Sequence, residues 1–285
     1  MIDMEPIRQP VQMQVLIENA ARPGLQAEHG WAVLVETGGF RLLFDTGASP
    51  QLLDNAHRMG VDLTGLDGLA LSHGHYDHTG GLAAVLERNP GVPIYAHPDV
   101  FLERFSIRPP SPARAIGIPP GARAAFESNR ARWVAVTDLQ HVGHGLHLTG
   151  PVQRRTSYED VGGPFFLDPN AQHPDPLNDD QALFFLTSGG PVVLLGCAHA
   201  GVVNTLYQVA EACQCDHIHG LLGGMHLVSA DRRRMDATLE AFEQWRVARL
   251  GPAHCTGQAA LAQIHERFGD RCFDCSAGAR FEFQP

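Results

Sequence analysis

The most informative stretch of this chain is SHGHYDHTGG, residues 72–81. It contains four side chains that can ligate a metal ion: His73, His75, Asp77 and His78. The stretch follows a short apolar run and precedes a helical pattern, so we expect it where a strand ends and a helix begins. Residues two apart in extended backbone point to the same side, so His73 and His75 can bind one ion, while Asp77 and His78 point at a second. The alternative is a polar loop that is rich in histidine by chance, but such clusters are typical of metal sites.

Three further strand ends each bring a histidine just before a helix. Apolar runs at residues 191–195, 217–222 and 247–251 lead into GCAHAG (196–201), GGMHL (223–227) and PAHCTG (252–257). These motifs contain His199, His226 and His254. Strand-to-helix junctions gather at one edge of a sheet in layered α/β proteins, so we expect these histidines to meet the first motif. Ser229 is the predicted N-cap of the helix that follows His226.

Together these motifs resemble the metallo-β-lactamase superfamily. The HxHxDH motif of that family stands at residues 73–78, and FRLLFDTG (40–47) is similar to its second strand and DTG turn. Within the superfamily, GCAHAG, GGMHL, HCTG and DDQAL (179–183) most resemble the branch of the dihydropterin-condensing synthases of methanopterin biosynthesis and their bacterial relatives. The resemblance spans nearly the whole chain. It implies an α/β fold, the four-layer αββα sandwich, as one domain over residues 1–285 with loop insertions near 105–132 and 154–180.

The resemblance also implies ligands for two divalent metal ions, zinc by preference and manganese or iron as alternatives. The implied ligands are His73, His75 and His199 for the first ion and Asp77, His78 and His254 for the second. The aspartate that bridges the two ions in this family is missing, because Gly196-Cys197 stands at the comparable place. Cys197 could ligate as a thiolate, or it could be a small buried residue while His199 alone binds. We favour His199, since a bridging thiolate would make the site softer than a water-activating centre usually is.

The cluster predicts an enzyme that activates water. A bound metal ion lowers the pKa of water from about 15.7 to near 7. We expect hydrolysis of an ester, phosphodiester or related bond, in which Asp77 orients the nucleophile and His226 steadies the oxyanion. His226 could instead be a ligand, a general acid or a packed histidine. Asp45 is predicted to lie behind the ligands, where such residues fix the tautomer of a bound imidazole.

Two other functions stay open. The synthase-like branch implies a metal that orients a diphosphate leaving group while a pterin-like substrate is condensed. The other is a non-catalytic, metal-containing binding protein. An open site at a strand edge argues against it, because structural zinc sites fill every position with protein ligands. No flavin-binding segment accompanies the core, so a redox role is not expected.

Composition limits the partners. The formal net charge of −10 argues against nucleic acid, whose binding proteins normally carry a basic face. No apolar run approaches the ~20 residues of a membrane span, and the N-terminal residues lack the layout of a secretory signal. We therefore expect a cytoplasmic protein without a membrane partner. Cys272 and Cys275 form a single CxxC with no second pair, which favours reduced structural thiols over a zinc site.

Two stretches break the rhythm of strands and helices, and specificity is expected to lie there. The first, residues 105–132, is rich in proline and carries one acid against five arginines: Arg108, Arg114, Arg123, Arg130 and Arg132. Its arginines could bind a small anionic substrate, or the stretch could be a solvated surface insertion. The second, residues 154–180, is rich in proline, aspartate and asparagine. We expect it to cap the site or to form a contact in a homodimer.

Overall fold

The computed structural model describes Met4, residues 6–129 and residues 132–285. The strands are β1 (Val11–Ile17), β2 (Ala32–Thr37), β3 (Phe40–Phe44), β4 (Gly68–Ala70), β5 (Ile94–Ala96), β6 (Phe105–Ser106), β7 (Arg114–Ala115), β8 (Trp133–Ala135), β9 (Gln140–Gly143), β10 (Leu146–Leu148), β11 (Phe165–Phe166), β12 (Leu183–Thr187), β13 (Gly190–Leu195), β14 (Gly220–Gly224), β15 (Arg249–Ala253) and β16 (Arg280–Phe283). The helices are α1 (Gln51–Arg58), α2 (Tyr76–Thr79), α3 (Leu82–Arg88), α4 (Pro120–Ser128), α5 (Val202–Cys213), α6 (Arg232–Gln244) and α7 (Gln258–Phe268). Of the helices in these described ranges, none has the length and apolar character needed to cross a lipid bilayer.

Most of these strands belong to two large mixed sheets. In the described chain, the first sheet has the order β16-β1-β2-β3-β4-β5-β8 and the second the order β15-β14-β13-β12-β10-β9. Strands β3, β4, β5 and β8 run parallel in the first sheet, and β13, β14 and β15 run parallel in the second. The carboxyl ends of parallel strands lie at one edge of a sheet. The loops after β4, β13, β14 and β15 therefore emerge at such edges.

Alternating side chains along the strands produce the layers. In β2, Val33 packs in the core between the two sheets, whereas Leu34 packs in the core beneath the first set of helices. In β13, Val192 belongs to the core between the sheets and Val193 to the core beneath the second set of helices. This two-residue period is that of strands with both faces buried, which explains their continuous apolar sequences.

Helices cover the outer face of each sheet. Helices α1, α3 and α4 pack on the first sheet, and α5, α6 and α7 pack on the second. Their buried side chains include Leu52, Val85 and Phe126 on one side and Leu206, Phe242 and Ile264 on the other. The order of layers is helix, sheet, sheet, helix, which confirms the predicted α/β fold and its αββα sandwich.

The two predicted insertions carry secondary structure of their own. Residues 105–132 contain β6, β7 and α4, and residues 154–180 contain β11. Strand β11 pairs with β6 in a small sheet of order β11-β6-β7, so the two insertions are joined. Arg130, one of the five arginines named above, lies outside the described residues.

Helix α6 begins later than the sequence predicted. Its N-cap is Asp231, whose side chain accepts a hydrogen bond of 2.7 Å from the backbone N–H of Arg234. Ser229 instead donates its hydroxyl to the carbonyl of Gly162 at 2.8 Å. The prediction of Ser229 as the cap was wrong because serine and aspartate cap equally well, and a tertiary contact decides between them.

Candidate metal centre

The HxHxDH motif lies at the predicted junction of strand and helix. It follows β4, and His75 has the extended backbone (φ −74°, ψ 150°) of the N-cap of α2. The four candidate ligands of this motif are almost fully enclosed, with exposed fractions of 1% for His73, 5% for His75, 7% for Asp77 and 0% for His78. Burying so many polar groups together is costly unless each finds a partner.

The histidines after β13, β14 and β15 converge on this motif, as predicted. The ring centre of His199 lies 4.2 Å from that of His226 and 4.8 Å from that of His73. The ring centre of His254 lies 5.0 Å from that of His78. Side chains from the second sheet thus meet the motif that follows the first sheet, and the site is built from both.

We call His73, His75 and His199 the His73 half-site. Nε2 of His73 lies 3.0 Å from Nδ1 of His75, and the ring centres of His75 and His199 are 4.8 Å apart. The carbonyl of Val161 is 2.8 Å from Nδ1 of His199, which leaves Nε2 of that ring for a metal. Burial lowers the pKa of all three histidines well below the ordinary value, so they are in the neutral form that binds metals.

We call Asp77, His78 and His254 the Asp77 half-site. Oδ2 of Asp77 lies 3.4 Å from Nε2 of His254 and 3.9 Å from Nε2 of His78. Nε2 of His78 is also 3.1 Å from the sulfur of Cys197. Cys197 is a member of three groups of close potential ligands among the described residues: one with His78 and His254, one with His73 and His199, and one with His226 and Cys255. Cys197 therefore lies between the two half-sites. His199, the favoured ligand, belongs to the His73 half-site.

His29 is a candidate ligand that the sequence analysis missed. Its Nε2 lies 3.2 Å from Oδ2 of Asp77, and its side chain is 59% exposed. His29, Asp77 and His254 form a group whose ligand atoms all lie within 4.8 Å of one another. The loop before β2 has no ligand motif around His29, so the position of this residue ahead of a predicted strand was its one sequence signal.

Asp45 lies behind the candidate ligands, as predicted. Its Oδ2 is 2.7 Å from Nδ1 of His78 and accepts the hydroxyl of Ser72 at 2.7 Å, while Oδ1 accepts the backbone N–H of Ser72 at 2.7 Å. The Ser72 hydroxyl oxygen also lies 3.0 Å from Nδ1 of His73. These contacts engage the Nδ1 atoms of both histidines and leave the Nε2 atoms for the cluster.

The polar atoms of the cluster fit a metal cation. Within the described residues, Nε2 of His75, His199 and His254 is buried without a hydrogen-bond partner, although buried polar groups are nearly always paired. Burial would lower the pKa of His78, but the carboxylates of Asp45 and Asp77 outweigh it and raise that pKa to about 9. The buried carboxylates thus draw positive charge into the site, which a bound divalent cation would supply.

A buried ion-pair network supports the motif. Arg104 is 1% exposed, and its guanidinium donates to Asp175 at 2.8 Å and to Asp179 at 2.7 Å. The other carboxylate oxygen of Asp179 accepts the backbone N–H of Gly74 at 2.8 Å. A Cβ atom on Gly74 would lie 2.4 Å from the guanidinium of Arg104, so glycine is required there. The network therefore fixes the backbone in the middle of the HxHxDH motif.

A cavity of about 840 Å³ opens onto the cluster. Tyr76, Arg108, Arg114 and Phe165 line one part of its wall, and the two arginines come from the first insertion. The guanidinium of Arg114 lies 4.9 Å from the ring centre of Tyr76. Arg123, from the same insertion, pairs with Glu127 instead. The cavity thus joins the candidate ligands to positive charge, in an otherwise acidic chain.

Residues 154–180 cap the cluster beside His226. Gly162 has a φ of +83°, and a Cβ atom there would lie 2.0 Å from Cδ2 of His226. His226 itself has a positive φ of 44°. Val161 and Phe165, from the same stretch, contact His199. This agrees with the predicted cap, while the homodimer contact stays a prediction.

The fold and this cluster define the class of protein. The family model of the metallo-beta-lactamase superfamily matches residues 25–207, and the chain belongs to that superfamily. Members of the superfamily typically bind divalent metal ions and most are enzymes, in agreement with the groups of histidine, cysteine and aspartate described above.

Particular relatives refine this assignment. The chain is 28% identical to the 7,8-dihydropterin-6-methyl-4-(beta-D-ribofuranosyl)-aminobenzene-5'-phosphate synthase of Methanocaldococcus jannaschii, over 90% of each chain. It is 29% identical to an uncharacterized protein, MJ0448, of the same organism, over 89% of this chain and 94% of that one. Among solved structures it is similar to Tm1679, a metal-dependent hydrolase of the beta-lactamase superfamily, with a TM-score of 0.81 at 29% identity over 96% of this chain and 100% of that one. A diphosphatase of the PhnP family, at 13% identity and a TM-score of 0.52 over 96% and 98% of the two chains, shares the fold. The resemblance inferred from the motifs is confirmed.

Proposed function

We propose that this chain is a metal-dependent hydrolase acting on an ester, phosphodiester or related bond of a small anionic substrate. The observation that carries the proposal is the set of unpaired, buried imidazole nitrogens on a cavity that Arg108 and Arg114 also line. The similar solved structure described as a metal-dependent hydrolase supports the same reaction class. The net charge of −10 disfavours a nucleic acid as the substrate.

The two half-sites would hold two divalent ions. Bound there, such ions supply a hydroxide nucleophile at neutral pH and stabilise negative charge on the reacting group. Zinc suits a set of imidazoles with one carboxylate and a nearby thiol, and manganese or iron are the alternatives. The sets proposed to bind are His73, His75 and His199 for one ion and Asp77, His78 and His254 for the other.

Asp77 and His226 are the proposed catalytic residues. Burial raises the pKa of Asp77, but the neighbouring His78 and His254 outweigh it and hold that pKa well below its ordinary value. Asp77 therefore remains a carboxylate, which can accept a hydrogen bond from the attacking water and orient it. His226 lines the same cavity beside His199, where a ring N–H can donate to the developing oxyanion.

Turnover of a chromogenic diester tests this reaction. Metal-loaded protein should hydrolyse bis(p-nitrophenyl) phosphate, and the rate should fall when a chelator removes the ion and recover when the ion is restored. A fully loaded protein that turns over no member of a panel of phosphate and carboxylate esters would refute the hydrolase. That result would favour the condensing enzyme or the non-catalytic binding protein.

Arg114→Ala and Arg108→Ala should each weaken the binding of an anionic substrate. A hydrogen bond between charged groups contributes about 1.5–3 kcal/mol, so each variant should lose about tenfold or more in kcat/KM, mainly through KM. Inorganic phosphate should inhibit the wild type competitively and inhibit both variants less. Arg123→Ala is the matched control, since Arg123 belongs to the same insertion and pairs with Glu127. Equal losses in all three variants, or indifference to phosphate, would contradict the anion site.

Gly162→Ala should displace His226 and lower kcat. The methyl carbon added at residue 162 would lie 2.0 Å from Cδ2 of His226, so the imidazole ring must move. A shift of about 1 Å in a positioned group can cost about hundredfold in rate. Gly39→Ala is the control, because Gly39 has the same φ of +83° and a methyl group added there would meet nothing within 4 Å. Both variants should lose about 1 kcal/mol of unfolding free energy in urea, and equal kcat values would argue against a role for His226.

A second function is favoured by the similarity, over 90% of each chain, to a protein named as a synthase. In a condensation, Arg108 and Arg114 would bind the diphosphate of an activated, pterin-like substrate, and the replacement of the bridging aspartate by Cys197 would accompany the changed task. Pyrophosphate release from a diphosphate-activated pterin analogue separates the two reactions. Hydrolysis should release it from the analogue alone, whereas condensation should require a second organic substrate.

A further inference from the structure

Three potential ligands lie together beside the two half-sites: Cys197, His226 and Cys255. We call them the thiol cluster. Each follows a different strand of the second sheet, namely β13, β14 and β15, and their ligand atoms all lie within 4.8 Å of one another. The parallel arrangement of the three strands brings the side chains to one edge.

The local packing is built around the approach of the two cysteines. The sulfur of Cys255 lies 3.6 Å from the carbonyl oxygen of Cys197. A Cβ atom on Gly224, at the end of β14, would lie 2.7 Å from that sulfur and 3.3 Å from Cα of Cys197. The carbonyl oxygen of Gly196 would lie closer still, at 2.4 Å, so glycine at 224 lets both the backbone after β13 and the sulfur of Cys255 approach this point.

The imidazole of the thiol cluster is poorly satisfied without a ligand. His226 is 9% exposed, and its Nδ1 is buried with no hydrogen-bond partner in the described part of the chain. The sulfur of Cys197 is close to Nε2 of His78, but Cys255 belongs to none of the other groups of close potential ligands found among the described residues. All three members line the cavity, so an ion can reach them from solvent.

We propose that Cys197, Cys255 and His226 form a third metal site, which takes a thiophilic divalent ion such as zinc. Two thiolates and one imidazole make a soft donor set, distinct from the imidazole and carboxylate set of the Asp77 half-site. Both thiols would release their protons to solvent on binding, and three protein ligands leave a fourth position open toward the cavity. An ion at this site engages the imidazole that the proposed hydrolysis assigns to the oxyanion, so it would inhibit that reaction. This last consequence rests on the proposed function, and the site itself does not.

Cobalt(II) titration of reduced, metal-free protein tests the site by spectroscopy. Thiolate ligation gives a near-ultraviolet charge-transfer band, which we expect in the wild type. Cys255→Ser should lower its saturating intensity by about half, because one of two thiolates is lost. Cys272→Ser is the matched control, since Cys272 also lines the cavity but belongs to none of the close ligand groups in the described residues. A band that Cys255→Ser leaves at full strength, or no band in the wild type, overturns the proposal.

Alkylation of the wild-type protein gives a test that does not depend on folding of a variant. Zinc should protect both Cys197 and Cys255 from iodoacetamide in a peptide map, while Cys215, just after α5 and outside the cavity lining, reacts equally with and without zinc. Protection of Cys197 without Cys255 would place the thiol in a half-site and refute the third site. Neither experiment measures hydrolysis, so failure of the proposed function would leave the charge-transfer band and the protection pattern unchanged.

Discussion

Arg104→Ala is expected to destabilise the protein by about 3–5 kcal/mol, a large share of the stability of a typical domain. The guanidinium is 1% exposed and pairs with Asp175 and Asp179, so its removal leaves two buried carboxylates without a counter-charge. Urea unfolding of the metal-free protein measures the loss without a contribution from bound metal. Because Asp179 also holds the backbone of Gly74, the variant should bind metal more weakly as well.

A surface ion pair provides the control for this prediction. Arg232→Ala removes the exposed pair with Asp236, four residues along α6, and should cost about 0.3–0.5 kcal/mol. The triple variant Arg104→Met, Asp175→Asn, Asp179→Asn removes the buried charges together and should recover part of the loss. A loss below about 1 kcal/mol in Arg104→Ala would show that the network adds little to stability.

His75→Ala is expected to release most of the bound metal and to abolish metal-dependent turnover. Replacing a group that merely orients a ligand commonly costs about 10–100-fold in metal affinity or activity, so loss of the ligand itself should cost more than about 100-fold. Nδ1 of His75 lies 3.0 Å from Nε2 of His73, and Nε2 of His75 is buried without a hydrogen-bond partner among the described residues. Elemental analysis after gel filtration measures the metal content directly.

The control for the metal prediction is another histidine. His57→Ala changes an exposed residue on α1, outside the cavity lining, and should leave metal content and turnover unchanged. Thermal unfolding of metal-free His75→Ala should match that of the metal-free wild type. In the metal-free wild type, Nε2 of His75 is buried without a hydrogen-bond partner among the described residues. A His75→Ala protein that keeps its full metal content would refute the assignment of His75 as a ligand.

The sequence was most informative where ligands follow strand ends. His73, His75, Asp77 and His78 are contiguous, so their spacing alone predicted two half-sites. His199 and His254 were predicted because a strand delivers each of them to the same edge of a sheet. Periodicity of two and of 3.6 residues, together with glycine-rich junctions, carried enough information for these elements, whereas the order of the layers was implied by the resemblance to the superfamily.

Contacts between distant segments were not predictable in this way. Arg104 pairs with Asp175 and Asp179, which lie in a stretch that was predicted to cap the site. No local sequence pattern indicates such a partner. His29 reaches Asp77 because the loop before β2 folds across the start of α2. Such contacts depend on where two loops meet in space. In this fold the packing of the layers determines that position, and local sequence does not.

The candidate ligands come from both halves of the sandwich, and this has a thermodynamic consequence. His75 follows β4 of the first sheet and His199 follows β13 of the second, so one ion held by both would cross-link the two sheets and close the long loop of chain between these two residues. Closing such long loops is where a cross-link restricts the unfolded chain most. At a free metal concentration 1,000 times Kd, binding to the folded form would add about 4.1 kcal/mol to its stability. The ion would then stabilise the folded sandwich as well as activate water. The supply of metal would therefore govern the fraction of the protein that stays folded.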